Sequence, residues 1–217
     1  MVKEALDERL RDEERANTLT HAIGFVLSVM GVAWLMLAVV RTGDGWQVAG
    51  CTMYSLSLLA VYAASTLSHA FSQHPRWRRL FRTLDQAFIF TLIAGTFTPI
   101  AMTYLRSDWW PLLLVAMWGL AATGFFSKTV LNHQIEAATT IAQVCLGWLP
   151  IVAARPMIEL SPRGLLLWVL AGGVCYTAGT FFLNRDERFS RFHAVWHVFV
   201  IAGSACHFVA VLRYCTG

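Results

Sequence analysis

Histidines at helical spacing are the residues with the clearest potential for chemistry. His193 and His197 lie four positions apart, so on a helix they share one face. His69 lies near the end of another apolar stretch, with Ser65 one helical turn before it. Two imidazoles from one helix and a third from another can bind one zinc ion and leave a fourth position for water. Because three neutral ligands leave the charge of the ion undiminished, such a site favours ionisation of that water to hydroxide near pH 7.

Two more polar side chains are expected beside these histidines. Asp85, at the start of a further apolar stretch, could orient a histidine or hold a bound water. Ser65 could donate a hydrogen bond to that water or to a developing oxyanion. Structural roles are the alternatives: Ser65 suits close helix packing, Asp85 could cap its helix or pair with Arg82, and His69 could bond to a neighbouring helix.

The elements that must position these residues are membrane-spanning helices. The chain has 217 residues, of which 57% are hydrophobic and only 14% charged. Its apolar runs extend for about twenty residues, the length that crosses about 30 Å of hydrocarbon. We therefore predict an all-α membrane protein, a seven-transmembrane helical bundle, preceded by an N-terminal segment at residues 1–16 that is a short solvated helix or a tail. The predicted spans within the transmembrane domain at 17–217 are 17–40, 46–71, 84–104, 109–126, 137–154, 164–183 and 193–212.

The distribution of positive charge predicts the orientation of this bundle. Twelve Lys and Arg residues fall on one side of the predicted spans and five on the other. Because positive charge is retained in the cytoplasm, we predict a cytoplasmic N-terminus and a C-terminus outside. This topology places Ser65, His69, Asp85, His193 and His197 at one depth in the inner leaflet. Since the basic residues flank the spans, the expected partners are membrane lipids, and no nucleic-acid partner is expected.

Other polar residues and two prolines lie in or beside the spans. His207 would lie about 21 Å deeper than His193 at 1.5 Å per residue, too far to share its metal. A hydrogen bond within the bundle is the expected role of His207. His21 could support the metal site or simply pack against it, and Glu14 could cap the first helix or join the same polar group. Pro99 and Pro150 are expected to kink their helices.

Taken together, these motifs resemble the hemolysin III branch of the progestin and adiponectin receptor family. The resemblance covers nearly the whole chain, and the joint occurrence of its motifs is far more specific than any one of them. The matching residues are Glu14, Asn17, Thr20 and His21; Ser65 to His69; Asp85; Ala94 to Pro99; Gly172 to Gly179; His193 to His197; and His207.

The resemblance implies seven transmembrane helices with the N-terminus inside and a zinc ion near the cytoplasmic face. By the same resemblance, His69, His193 and His197 are the metal ligands, and Asp85 and Ser65 surround the zinc-bound water as catalytic groups. The wider superfamily contains alkaline ceramidases, which implies hydrolysis of an amide in a membrane lipid. The chain lacks the long N-terminal region of the animal receptors, which favours a bacterial-type member in the inner membrane over a hormone receptor.

Three functions therefore remain open from the sequence. The first is a zinc-dependent integral membrane hydrolase of a lipid amide or ester, with a role in membrane homeostasis. The second is a non-catalytic sensor or homeostasis protein in which zinc is structural. The third is a channel or cytolysin, which would need a polar stripe through the outer leaflet, where the sequence offers only His207 and scattered Ser and Thr.

Overall fold

Every regular element in the described part of the chain is a helix. The computed structural model describes residues 2–130, 136–186 and 191–217. Within them, seven helical segments are long and apolar enough to span a membrane, as predicted. The α-helices are α1 (Val2–Thr42), α2 (Gly45–Ala70), α3 (Pro75–Tyr104), α4 (Trp110–Thr129), α5 (Glu136–Trp148), α6 (Ala154–Leu160), α7 (Arg163–Leu183) and α8 (Phe192–Tyr214).

The fifth span is divided where its proline falls. A 3-10 helix, Leu149–Ala153, joins α5 to α6, and Pro150 lies within its first turn. Proline has no backbone N–H to continue the α-helical bonding pattern, which explains the change of helix type at this point. Pro99, in contrast, lies inside α3 without ending it.

The helices α2 and α3 form the centre of the bundle. Their most apolar windows are 56% and 61% buried, against 17% for those of α4, the fifth span and α7. Tyr54 and Tyr62 of α2 and Ile100 of α3 are among the most buried side chains. The outer helices expose large apolar residues such as Trp34 and Leu167, which a membrane would cover. The chain is therefore an integral membrane protein.

The first helix continues without a break through the boundary predicted at residue 17. Its early residues are mostly Glu, Arg, Leu and Ala, which favour helix, so α1 begins at Val2, beyond the apolar run. The division into a segment 1–16 and a domain 17–217 remains a prediction, as does the orientation of the two termini. The residue Met1 lies outside the described part of the chain.

Connections between successive spans bring the predicted site residues to one end of the bundle. Only four residues separate α2 from α3, so the end of α2 lies beside the start of α3. The start of α8 lies at the same end, and α1 passes alongside. We call this the histidine end, since it holds His69, His193 and His197.

At the opposite end, Asp44 fixes the turn between α1 and α2. The Gln47 backbone N–H donates to Asp44 Oδ1 over 2.9 Å, and the Asp44 N–H donates to Gln47 Oε1 over 2.9 Å. Arg106, after α3, donates to Asp44 Oδ2 over 2.7 Å. The bond from the Gln47 backbone and then that from Arg106 hold the pKa of the Asp44 carboxyl below its usual range. Asp44 therefore links the start of α2 to the end of α3.

Replacing Asp44 by Ala is expected to lower the midpoint of thermal unfolding, because the capping box and the Arg106 contact are both lost. Asp44→Asn should have the smaller effect, since Asn still caps the helix. The stabilisation by the Asp44 carboxylate is present above the ordinary pKa of an aspartate and is lost as the pH falls through its lowered pKa. Thermal melts in detergent should therefore show wild type and Asp44→Asn converging in acid; a constant difference would contradict this assignment.

Candidate metal centre

The three predicted histidines meet at the histidine end of the bundle. His69 lies in the last turn of α2, and His193 and His197 lie in the first turns of α8. One nitrogen from each ring lies within 4.8 Å of the others. The ring centroids of His69 are 5.3 Å from His193 and 5.1 Å from His197, and those two rings are 4.5 Å apart. Tetrahedral Zn–N bonds need nitrogens roughly 3.4 Å apart, a small adjustment from this arrangement. These three histidines could form a metal site.

Two of the three imidazoles are oriented by carboxylates. Nδ1 of His69 lies 2.8 Å from Glu14 Oε2, and Nδ1 of His193 lies 2.7 Å from Asp186 Oδ2. A carboxylate can only accept, so in each pair Nδ1–H donates and Nε2 is left with a free lone pair. Histidines that bind metals usually carry this kind of oxygen partner on their other nitrogen.

The third imidazole is oriented by a hydroxyl. Nδ1 of His197 lies 3.2 Å from Thr20 Oγ1, whose own proton faces the carbonyls of Ala16 at 3.0 Å and Asn17 at 2.9 Å. Because the hydroxyl proton is used there, Thr20 accepts from His197 Nδ1–H. Nε2 of His197 is buried and has no hydrogen-bond partner among the described residues. A buried acceptor without a partner is costly, and a metal ion would satisfy it. The donor set therefore fits zinc.

The two predicted catalytic residues border the same cluster. Asp85, on α3, is partly buried and interacts electrostatically with His193 and with Arg82. Ser65 is 1% exposed and lies beside the Asp85 carboxyl. The Ser65 hydroxyl has no other partner in the described part of the chain. Both side chains are near the imidazoles, and their catalytic roles remain a prediction.

His21 packs directly against the cluster. Its ring meets that of His197 edge-on at a centroid distance of 3.8 Å and lies 6.2 Å from that of His69. The residue is 2% exposed, and neither ring nitrogen has a hydrogen-bond partner among the described residues. Of the two roles considered from the sequence, the structure shows the packing contact.

His207 belongs to a separate polar group deeper in the bundle. Its ring stacks on that of Tyr176 at 5.5 Å, and its Nδ1 has no hydrogen-bond partner in the described residues. The hydroxyls of Tyr176 and Tyr62 both bond to Ser204 Oγ, at 2.8 and 2.9 Å. His207 Nδ1 therefore does not make the expected hydrogen bond, and the ring stacks on that of Tyr176.

Sequence reasoning missed which oxygen holds each imidazole. Glu14 joins the polar group, one of the two roles considered for it, through a bond to His69. Thr20 stood in the matching motif with no assigned role, and Asp186 was assigned to a loop. Spacing gives no signal for Glu14 and Thr20, since both reach their histidines from a different helix.

A cavity of about 40 Å³ lies beside His193, and it has room for a water molecule. Its lining residues are Glu13, Ala16, Asn17, Asp186, Arg191, His193 and Ala194.

The sequence of this chain is similar to those of several known proteins. A Bacillus cereus protein named Hemolysin-3 is 39% identical over 204 residues, covering 93% of this chain and 91% of that protein. The Hemolysin-3 homolog of Bacillus subtilis is 36% identical over 205 residues, covering 94% of each chain. A human protein named Monocyte to macrophage differentiation factor is 25% identical over 212 residues, covering 93% of this chain and 84% of that protein. A family model described as Haemolysin-III related matches residues 10–208, and the chain belongs to this family.

Proposed function

We propose that this protein is a zinc-dependent integral membrane hydrolase of a lipid amide or ester, with a role in membrane homeostasis. The observation that carries the proposal is the convergence of His69, His193 and His197 within 4.8 Å, each with Nδ1 held by an oxygen. Three neutral ligands of this kind, with carboxylates behind two of them, are typical of catalytic zinc sites. A zinc ion bound there would polarise a carbonyl and make a water easier to deprotonate.

The residues around the imidazoles supply the remaining groups that hydrolysis needs. The Asp85 carboxylate, close to His193, would accept the proton of the attacking water and return it to the leaving group. The Ser65 hydroxyl, buried and without a hydrogen-bond partner in the described residues, would donate to the carbonyl oxygen as negative charge develops.

A membrane lipid is the substrate class that fits the position of the site. His69, His193 and His197 all lie on helices that can span a membrane, within one or two turns of their ends. A carbonyl near the headgroup region of a lipid lies at this level of a bilayer. The acyl chains would then remain in the hydrocarbon beside α1 and α8, which expose apolar side chains such as Leu19 and Val198.

The first prediction concerns the metal content of the purified protein. Elemental analysis should find one zinc per chain in wild type, and His69→Ala, His193→Ala and His197→Ala should each lose it, because each removes one of three ligands. His74→Ala is the control, since His74 is exposed on the connection between α2 and α3. Retention of zinc by the three ligand variants would exclude this site.

The second prediction concerns the oxygen partners. Glu14→Gln, Asp186→Asn and Thr20→Val should weaken zinc binding by about 10- to 100-fold, measured by competition with a chelator, since each partner orients an imidazole. Glu159→Gln is the matched control, because Glu159 is exposed and pairs only with Arg155 among the described residues. Equal affinity in Glu14→Gln, Asp186→Asn and wild type would show that the carboxylates do not support a metal.

The third prediction separates catalysis from metal binding. Wild type in liposomes should hydrolyse a lipid amide or ester, detected by mass spectrometry of the released fatty acid. Asp85→Asn should retain zinc and lose about 10²- to 10⁴-fold in turnover, since proton transfer is removed. Asp108→Asn, after α3 at the opposite end, should behave as wild type. Unchanged turnover in Asp85→Asn would remove this residue from the mechanism.

A structural zinc is the second candidate, and His21 is the observation that favours it. This fourth imidazole lies against His197 with both nitrogens unpartnered in the described part of the chain. Four protein ligands are typical of structural zinc, whereas three plus an open position are typical of catalytic zinc. His21→Ala should leave zinc content unchanged in a hydrolase. Loss of zinc from His21→Ala, together with no turnover by wild type, would favour the structural role.

A further inference from the structure

The first turns of α3 form a strongly basic surface, which fits the predicted orientation of the bundle but has no part in the proposed hydrolysis. Arg76, Arg78, Arg79 and Arg82 are all exposed within two helical turns. Arg76 and Arg79 form no ion pair with any carboxylate of the described residues. We call these four arginines, with Trp77 and Leu80 between them, the arginine turn.

The arginine turn is amphipathic, which fits it to the surface of a membrane. At 100° per residue, Trp77, Leu80 and Phe81 fall on one face and the arginines on the other. Trp77 and Leu80 are 46% and 45% exposed, and Trp77 stacks on Phe81 at 5.9 Å. At about 45 Å, the 30 residues of α3 exceed the roughly 30 Å of hydrocarbon, so its first turns extend into the headgroup region.

One of these arginines reaches the metal centre. A nitrogen of Arg78 lies 3.7 Å from Glu14 Oε1, while the other oxygen of the same carboxylate accepts from His69 Nδ1 over 2.8 Å. The Arg78 side chain is 48% exposed, so a ligand from outside can reach it. Glu14 is therefore shared between a surface cation and a histidine of the candidate metal centre.

We propose that the arginine turn binds the phosphate groups of anionic phospholipids, and that this binding strengthens the hold of the three histidines on a metal. Phosphate is the anion that clustered arginines beside a membrane span recognise, and Trp77 and Leu80 would insert beside the acyl chains. A phosphate that pairs with Arg78 would draw the positively charged guanidinium away from Glu14. The Glu14 carboxylate would then stabilise His69 as a ligand more fully.

The first part of the test measures lipid binding alone and does not depend on the proposed function. Full-length protein is reconstituted in nanodiscs of phosphatidylcholine and phosphatidylglycerol. It is then released from the nanodiscs in the mass spectrometer, and the lipids that stay bound to it are counted. Arg76→Gln and Arg79→Gln should each reduce retained phosphatidylglycerol by about five-fold, as expected for about 1 kcal/mol per arginine. The control is Arg163→Gln, exposed at the start of α7. Equal retention in all variants would overturn the proposal, as would an equal loss in Arg163→Gln.

The second part measures the coupling and rests on the proposed metal site. Zinc affinity by chelator competition should rise a few-fold when phosphatidylglycerol is added to phosphatidylcholine nanodiscs, and high salt should weaken the effect. Arg78→Gln should bind zinc tightly in both lipids, since the competing cation is gone, whereas Arg163→Gln should respond as wild type does. A lipid response retained in Arg78→Gln would overturn the coupling. Absence of zinc from wild type would instead refute the metal centre and the coupling. The binding of phosphatidylglycerol measured in the first part would not be affected by that outcome.

Discussion

The hydrogen bond from each imidazole Nδ1 to a fixed oxygen is the interaction on which the candidate site depends. His69, His193 and His197 come from two helices, and without Glu14, Asp186 and Thr20 their rings could rotate. With Nδ1 engaged, Nε2 is the nitrogen available on every ring. Two of these partners, Glu14 and Thr20, lie on α1, so the first helix organises a site whose ligands it does not supply.

The packing of α2 and α3 at the centre of the bundle helps to bring the three histidines together. Their burial fixes the end of α2, and α8 is positioned beside it by contacts that include the Tyr62–Ser204 hydrogen bond. Glycines allow the helices to pack this closely. A Cβ at Gly24 would lie only 2.5 Å from the ring of Tyr62, and a Cβ at Gly172 would lie 2.5 Å from His207 Nε2. Outside the metal centre, the same packing leaves buried polar atoms of Tyr54, Ser55 and His207 without hydrogen-bond partners in the described residues.

Composition and periodicity were sufficient to predict the seven spans, because the length of hydrocarbon sets the length of each apolar run. Helical spacing and short connections were sufficient to bring His69 to the level of His193 and His197. A short helix was one of two expectations for residues 1–16, but its continuity with the first span as α1 was not predicted, since hydropathy ends where the charged residues begin. The pairings of Glu14 with His69 and of Thr20 with His197 depend on how helices distant in sequence rotate against one another, which no local pattern specifies.

The metal environment itself is the most direct test of this account. X-ray absorption at the zinc edge of the purified, zinc-loaded protein would report which atoms surround the ion. The account predicts three imidazole nitrogens and one further light atom at about 2.0–2.1 Å, with no sulfur. Sulfur scattering at about 2.3 Å, or fewer than three imidazole nitrogens around the ion, would contradict it.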